Sequence, residues 1–415
     1  MKKTLISTIL VVLSMNIVFA QYNSEKLDSY MLRKMKQADR IGMQAAFIAD
    51  GELQWTGSYG LKTWQTTDSV TDSTVFMVAS LSKPVTALAV MKLYDDGRLS
   101  LDEDINSYLP FKITNPGFPD EKITIRMLLC HVSSIHDNWQ HLERLYTLGE
   151  GGGDSPISLE TFLKDYLLEG GQYYDPERNF YKTAPLTEEH YSNVGYALLG
   201  YLAEVISGRP FNEYMNEEVF RPLHMDNTYW FMKEVPHENI ATPHNLPYKE
   251  TDFKGTQPLP HFGYPEYPAG QLRTTVSDYA QYVKLMVNKG RVDGEPFLRE
   301  ETVEEFLKVQ YPDIAKWRAI SWSYNEFESI VYNLVMPRRP SHTGLDPGVS
   351  TVVSFDPETR TGAIIFSNSP TTTIFCEKAI YMDMLKKLLK ESDGLNSDFN
   401  EQRNQNTLTT QNHEK

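Results

Sequence analysis

Ser80, Leu81, Ser82 and Lys83 stand at the head of an apolar run, KPVTALAVMKLYDDG, that has the pattern of a helix. A spacing of three puts the Ser80 hydroxyl and the Lys83 ammonium on one helix face, within contact range. A serine hydroxyl attacks a carbonyl well only when another group takes its proton. A lysine can take it when burial or neighbouring positive charge lowers its pKa. The start of a helix adds backbone N–H groups that favour developing negative charge. A second group, Tyr191-Ser192-Asn193, precedes another helical run. Tyrosine can shuttle a proton if cations depress its pKa, and asparagine offers a substrate amide both a donor and an acceptor. A third, His342-Thr343-Gly344, precedes the strand-like GVSTVVSFD. A glycine on an edge strand lets a substrate backbone approach closely. Threonine and histidine can bind a carboxylate or a leaving group, and a histidine there is expected to make anchoring depend on pH near neutrality. Each motif alone is common. Together, in this order and with suitable structural contexts, they are much harder to obtain by accident.

The elements that must position these residues are legible as alternating patterns. Residues 21–40 have helical spacing, and MQAAFIADGELQWTGSYG reads as a hairpin turning at Asp50-Gly51. The run after Ser80 is apolar all round, which marks a helix buried between layers; Pro84 falls in its first turn and Gly97 ends it. Residues 100 to about 260 are mainly helical (ISLETFLKDYLL, GYALLGYLAEVIS, FNEYMNEEVF), and 237–268 form a long irregular excursion. A helix with Ser277 as N-cap and Gly290 as stop follows. Strands are then predicted at AISWSY, ESIVYNLVM, GVSTVVSFD and TGAIIFSN, with a closing helix, IFCEKAIYMDMLKKLLK. Residues 392–415 read as a disordered polar tail. The economical fold is α+β: an antiparallel sheet built from both chain ends, flanked by helices, with a mostly helical insertion. The α/β part is expected over about 21–98 and 265–391, and the helical part over about 99–264.

The bulk properties fit an exported enzyme. MKKTLISTILVVLSMNIVFAQ has a short positive head, an apolar stretch and a small-residue cleavage site, so residues 1–20 read as a signal peptide. That leaves a mature chain of about 395 residues with a formal charge of −17, against −15 for the whole sequence. No basic patch suits a nucleic acid, and no stretch beyond the leader is long and apolar enough to span a bilayer. Cys130 and Cys376 both sit in apolar helical contexts and read as buried thiols rather than a disulfide. His131, His136 and His141 are spaced by five, which does not put them on one helix face, so no metal and no cofactor are expected.

Taken together, these stretches resemble the serine β-lactamase superfamily, in particular the class C β-lactamase and D-alanyl-D-alanine carboxypeptidase branch. The resemblance rests on FMVASLSKPVTALAVMKLYDDGRLSLDEDINSYLP, ITIRMLLCHVSS, YSNVGYALLGYLAEVISGRPFNEYM, PAGQLRTTVSDYAQYV and HTGLDPGVSTVVSFDPETRTGAIIFSN, and it runs from about residue 25 to 390. It implies the penicillin-binding-protein-like fold. It implies Ser80 as a nucleophile forming an acyl-enzyme, Lys83 and Tyr191 sharing general-base and acid work, and Asn193 holding the substrate amide. The backbone N–H groups of Ser80 and Leu345 would form the oxyanion hole, with His342, Thr343 and Gly344 lining the substrate strand. His342 takes the place of a lysine found in many β-lactamases, Pro185-Leu186 stands where Pro-Gly is frequent, and Val132-Ser133-Ser134 replaces the usual Thr-Ser-Gly.

The expected activity is cleavage of an amide or ester, in a D-alanyl peptide, a D-peptide, a simple ester or a β-lactam. The substrate would be a small molecule or a peptide, with peptidoglycan-derived peptides among the candidates, and the protein a monomer in the periplasm or outside the cell. The alternatives are a non-catalytic cell-envelope binding protein on the same scaffold, or an adhesion protein using the 237–268 loop.

Overall fold

A computed structural model of the chain describes residues 22–149, 152–245, 256–326, 338–370 and 375–413. The signal-peptide reading at 1–20 and the strand expected over ESIVYNLVM lie outside the described residues.

The sheet is antiparallel and takes its strands from both ends of the chain. Helix α1 (Glu25–Gln37) leads into β1 (Gly42–Ala49) and β2 (Glu52–Gly60). The turn between them places Asp50 and Gly51 at φ 54° and 73°, the paired positive angles that a tight hairpin needs and Asp-Gly tolerates. After the buried helix α2 (Ser82–Asp95) come α3 (Leu159–Leu167) and α4 (Asn193–Ser207) of the helical insertion, and then α5 (Val276–Val287). Strands β3 (Ser341–Asp346), β4 (Val349–Asp356) and β5 (Thr361–Ser367) return to the sheet, and α6 (Phe375–His413) closes the chain. The strand order is β2-β1-β5-β4-β3, with β3 at an edge.

Two packed layers follow from the period-two alternation of the strands. On one face Met43, Ala45 and Phe47 of β1 meet Leu27 and Met31 of α1 and Leu385 and Leu388 of α6. On the other, Ala46 and Ile48 join Val85, Leu88 and Met91 of α2 and Tyr279 and Val283 of α5. Helix α2 is buried from Ser82 through Met91, so both the sheet side and the helical insertion cover it. Each fully buried aliphatic side chain there contributes about 1.5–3 kcal/mol relative to exposure. That burial holds the start of α2, and hence Ser80, against the edge of the sheet.

Several expectations are corrected. The residues AISWSY do not form a strand; they make isolated bridges, Ser323 pairing with Ser341, and bury Trp322 against Phe355. The N-cap of α5 is Thr275, whose hydroxyl accepts the Asp278 N–H at 3.1 Å, two residues before the expected Ser277. Residues 392–413 are not a disordered tail but the continuation of α6. Ser392 donates to the Ile48 carbonyl, Asn396 accepts the Asp50 N–H at 3.1 Å, and Asp393 pairs with Arg339 at 2.9 Å. Polar composition misled here because those side chains tie the helix to the sheet. Cys130 is a free buried thiol, as expected, while the Cys376 side chain is outside the described ones.

Candidate active site

Ser80 lies in a short 3₁₀ turn, Ala79–Leu81, just ahead of α2. Ala79 holds φ 50°, an uncommon angle for a residue with a Cβ. Neighbouring contacts hold this turn in place. The Ser82 hydroxyl donates to the Ala79 carbonyl at 2.7 Å and accepts the Leu272 N–H at 3.0 Å, and Thr351 of β4 donates to the Val78 carbonyl at 2.8 Å.

Lys83 is fully buried, and its ammonium meets three acceptors: Ser80 Oγ at 3.2 Å, Asn193 Oδ1 at 2.7 Å and the Ala269 carbonyl at 2.7 Å. Burial pulls its pKa down to about 7, against the opposing pull of Asp137, Asp346, Glu266 and Glu326. Near neutrality a sizeable fraction of Lys83 is therefore an amine with a lone pair. Such an amine can keep its bonds to Asn193 and Ala269 and turn that lone pair to the Ser80 hydroxyl.

Tyr191 lines the cleft with Ser80, and its ring lies 4.7 Å from Lys83 Nζ and 4.4 Å from the His131 ring. Tyr191 is 40% exposed at the cleft. The sequence-based expectation of a phenol with a depressed pKa is not met. Burial pushes Tyr191 well above its ordinary value, the neighbouring Ser80 hydroxyl opposing it. A neutral phenol can still relay a proton.

Asp137, which sequence reasoning missed, organises this half of the site. It accepts the Asn193 N–H at 2.7 Å, the Val194 N–H at 3.0 Å, the Ser192 hydroxyl at 3.1 Å and Asn193 Nδ2 at 2.8 Å. A carboxylate at the start of α4 complements the helix dipole and fixes the Asn193 amide with its oxygen toward Lys83. One N–H of Asn193 is thereby committed to Asp137, leaving the other for a substrate. The signal was present: Asp137 is an isolated acid in the weakly charged stretch CHVSSIHDNW.

Strand β3 forms the opposite wall. A Cβ on Gly344 would sit 2.2 Å from Thr351 Oγ1, 2.5 Å from the Val78 carbonyl and 3.2 Å from Ser80 N. The glycine is thus required for close approach of the Ser80 turn itself, rather than of a substrate alone. Thr343 donates through its N–H at 2.8 Å and its hydroxyl at 2.7 Å to one oxygen of Glu326. His342 is buried, with Nδ1 donating to the Thr343 carbonyl at 2.7 Å. Burial first, then Lys83 and Arg318, bring its pKa to about 3, so the expected titration of His342 near neutrality is corrected: it stays neutral. Leu345 is 62% exposed at the cleft mouth. Upstream of this strand, Arg338 lies over the Trp317 ring at 3.8 Å, and Arg339 pairs with Asp393.

A cleft of about 300 Å³ opens on Ser80, Tyr191, Asn193, Leu345 and Asp346. A larger cavity of about 1040 Å³ runs along Lys284, Lys289 and Glu304, but it contains no nucleophile beside a base. The smaller cleft is the candidate active site.

A family model described as Beta-lactamase matches residues 27–383. The chain belongs to the beta-lactamase family. This family member is 21% identical over 352 residues to protein flp of Staphylococcus aureus, covering 83% of this chain and 63% of that protein. The chain thus spans less than two thirds of the length of that curated relative. It is 24% identical over 362 residues to penicillin-binding protein 4 of Amycolatopsis lactamdurans, covering 85% and 86% of the two chains. Among solved structures it is similar to the octameric penicillin-binding protein homologue from Pyrococcus abyssi, with a TM-score of 0.64 at 23% identity over 89% of this chain and 78% of that one. The D-alanine carboxypeptidase AmpC of Burkholderia cenocepacia gives 0.63 at 22% identity over 89% and 100%. At these identities the structural likeness bears on the fold alone. Among the described residues, no helix is long and apolar enough to cross a membrane.

Proposed function

We propose that this chain is an exported serine hydrolase that cleaves an ester or amide through an acyl-enzyme on Ser80. The observation that carries the reading is the contact of Ser80 Oγ with a buried Lys83 whose pKa falls to about 7. Neutral Lys83 takes the Ser80 proton as Oγ attacks the carbonyl carbon, and the oxyanion is received by the N–H groups of Ser80 and Leu345. The proton passes through the Tyr191 hydroxyl to the leaving group as the carbon–leaving-group bond breaks. Water, deprotonated by the same pair, then releases the acid and restores Ser80. Asn193 offers its remaining N–H to the acyl group, and Thr343 and His342 line the strand along which the substrate lies. The substrate classes are those of the family: D-alanyl peptides, D-peptides, esters and β-lactams. Lys2, Lys3 and the apolar stretch after them support export, and a monomer is the expected state.

A small neutral fluorophosphonate tests this. It should add its mass once, at Ser80, and Ser80→Ala should abolish the adduct while the protein remains folded by thermal melt. Folded wild-type protein that takes no label between pH 6 and 9 would refute the assignment.

A further inference from the structure

Three carboxylates, Asp137, Glu266 and Asp346, line the cleft that opens on Ser80, and no lysine or arginine side chain is among its described lining residues. Asp137 is occupied at the start of α4. Asp346 accepts the Tyr264 hydroxyl at 2.8 Å. Glu266 is different: it is 1% exposed, and its Oε2 has no hydrogen-bond partner. A buried carboxyl oxygen left unmatched costs free energy unless a ligand supplies the donor. Glu266 also sits one turn before Ala269, whose carbonyl holds Lys83, so a ligand at Glu266 lies beside the nucleophile. Tyr146 and Tyr264, with ring centroids 4.6 Å apart, and the half-exposed Trp139 supply aromatic faces to the same cleft. Aromatic faces attract cations.

The opposite wall disfavours an anion. Thr343, the donor a substrate carboxylate would use, gives both its N–H and its hydroxyl to Glu326. The ammonium of Lys83 has its three donors spent on Ser80, Asn193 and Ala269. A carboxylate entering here meets acidic side chains and, among the described lining residues, no lysine or arginine to pair with, which is how a site rejects a ligand class.

We propose that the cleft selects substrates carrying a cationic nitrogen, a free ammonium above all, beside the scissile carbonyl, with Glu266 and Asp346 as its counter-charges. The proposal rests on Ser80 being the nucleophile and names the substrate class of that same site. Burial and the neighbouring acids push Glu266 up to about 8 and Asp346 to about 7, so an arriving ammonium also draws protons off them.

The test uses a matched set of aryl phosphonates that differ only at the α-nitrogen: free amine, N-acetyl and N-succinyl. Each labels Ser80 with loss of phenol, and the rate is read by intact mass. The free amine is expected to label at least tenfold faster than the acetylated probe and faster again than the succinylated one. In Glu266→Gln, and separately in Asp346→Asn, the amine-to-acetyl ratio should fall toward one. Equal rates in the wild type, or a faster succinyl probe, would overturn the proposal. A ratio that survives both variants would overturn it too. Absence of label from every probe, including the small neutral fluorophosphonate, would instead refute Ser80 as the nucleophile.

Discussion

Replacing Asp137 with asparagine separates the electrostatic role of that residue from its shape. Lys83 titrates at about 7, and Asp137 is the first of the carboxylates that hold it up against burial. If neutral Lys83 is the base, labelling of Ser80 by a neutral fluorophosphonate rises with pH. At pH 6 about one Lys83 in eleven is an amine and at pH 8 about ten in eleven, so the rate should climb roughly tenfold between them. Asp137→Asn removes one buried negative charge. A charged Lys83 then loses its strongest counter-charge, its pKa falls further, and the midpoint of the profile moves to lower pH. The plateau should fall as well. Asp137 accepts two backbone N–H groups and orients the Asn193 amide, and a half-satisfied replacement costs about 1–3 kcal/mol.

The assay is the rate constant for adduct formation from pH 5.5 to 9, with a thermal melt at each pH as the folding control. Downward movement of the midpoint together with a lower plateau is the expected result. A midpoint that stays in place or moves up, in protein that still labels, would refute Lys83 as the titrating base and leave Tyr191 as the alternative. Should Asp137→Asn not fold, Glu326→Gln removes another of the charges that support Lys83 and should move the midpoint the same way.

Gly344→Ala should leave the sheet intact yet slow Ser80 labelling tenfold or more, because its Cβ would fall 2.5 Å from the Val78 carbonyl and must push the Ser80 turn away from β3. Overpacking of this kind costs about 1–3 kcal/mol, and a labelling rate equal to wild type would show that the close approach is not needed. Truncation after Glu391 should destabilise the protein by about 2–3 kcal/mol, since it removes the Ser392 and Asn396 hydrogen bonds to Ile48 and Asp50, at about 1 kcal/mol each, and leaves the buried Arg339 with Asp356 alone. Urea unfolding reads this directly, and an unchanged midpoint would mean that the tail of α6 is dispensable.

The sheet and the helix behind Ser80 were legible because burial writes periodicity into sequence. Strand β1 alternates between two covered faces, and α2 is apolar all round because two layers cover it. The Asp-Gly turn was legible because few residue pairs accept two positive φ angles. AISWSY misled for a complementary reason: its apolar residues are core filling in an irregular segment, and burial without ladder hydrogen bonds leaves the same composition as a strand. The contact of Ser80 with Lys83 was legible because a spacing of three encodes local geometry, whereas Tyr191, Asn193 and Gly344 reach that pair across the fold and entered the reading through the resemblance to a known family. Asp137, Glu266 and Glu326 were not found. Each acts through a contact made across the fold, and short-range spacing carries no information about such contacts. Asp137 and Glu266 share one trace, an isolated acid: Glu266 is the one charge in HFGYPEYPAGQL.

These acids bind the specificity of the cleft to its chemistry. A fully buried lysine without counter-charges can fall to about 5–6. Here Asp137, Asp346, Glu266 and Glu326 bring Lys83 back to about 7, where proton acceptance and donation are balanced for work near neutral pH. Where Glu266 and Asp346 are already ionised, a substrate ammonium seated beside them would offset part of that negative charge, lower the Lys83 pKa and enlarge the fraction of neutral base; where they are protonated, the protons it draws off them cancel the effect. A substrate carboxylate in the same place would do the reverse and hold the proton on Lys83. The two classes would therefore differ in acylation rate as well as in binding. The pH profile exposes this: the midpoint for labelling by the free-amine phosphonate should lie below that for the acetylated probe. Coincident midpoints would confine the role of Glu266 to affinity.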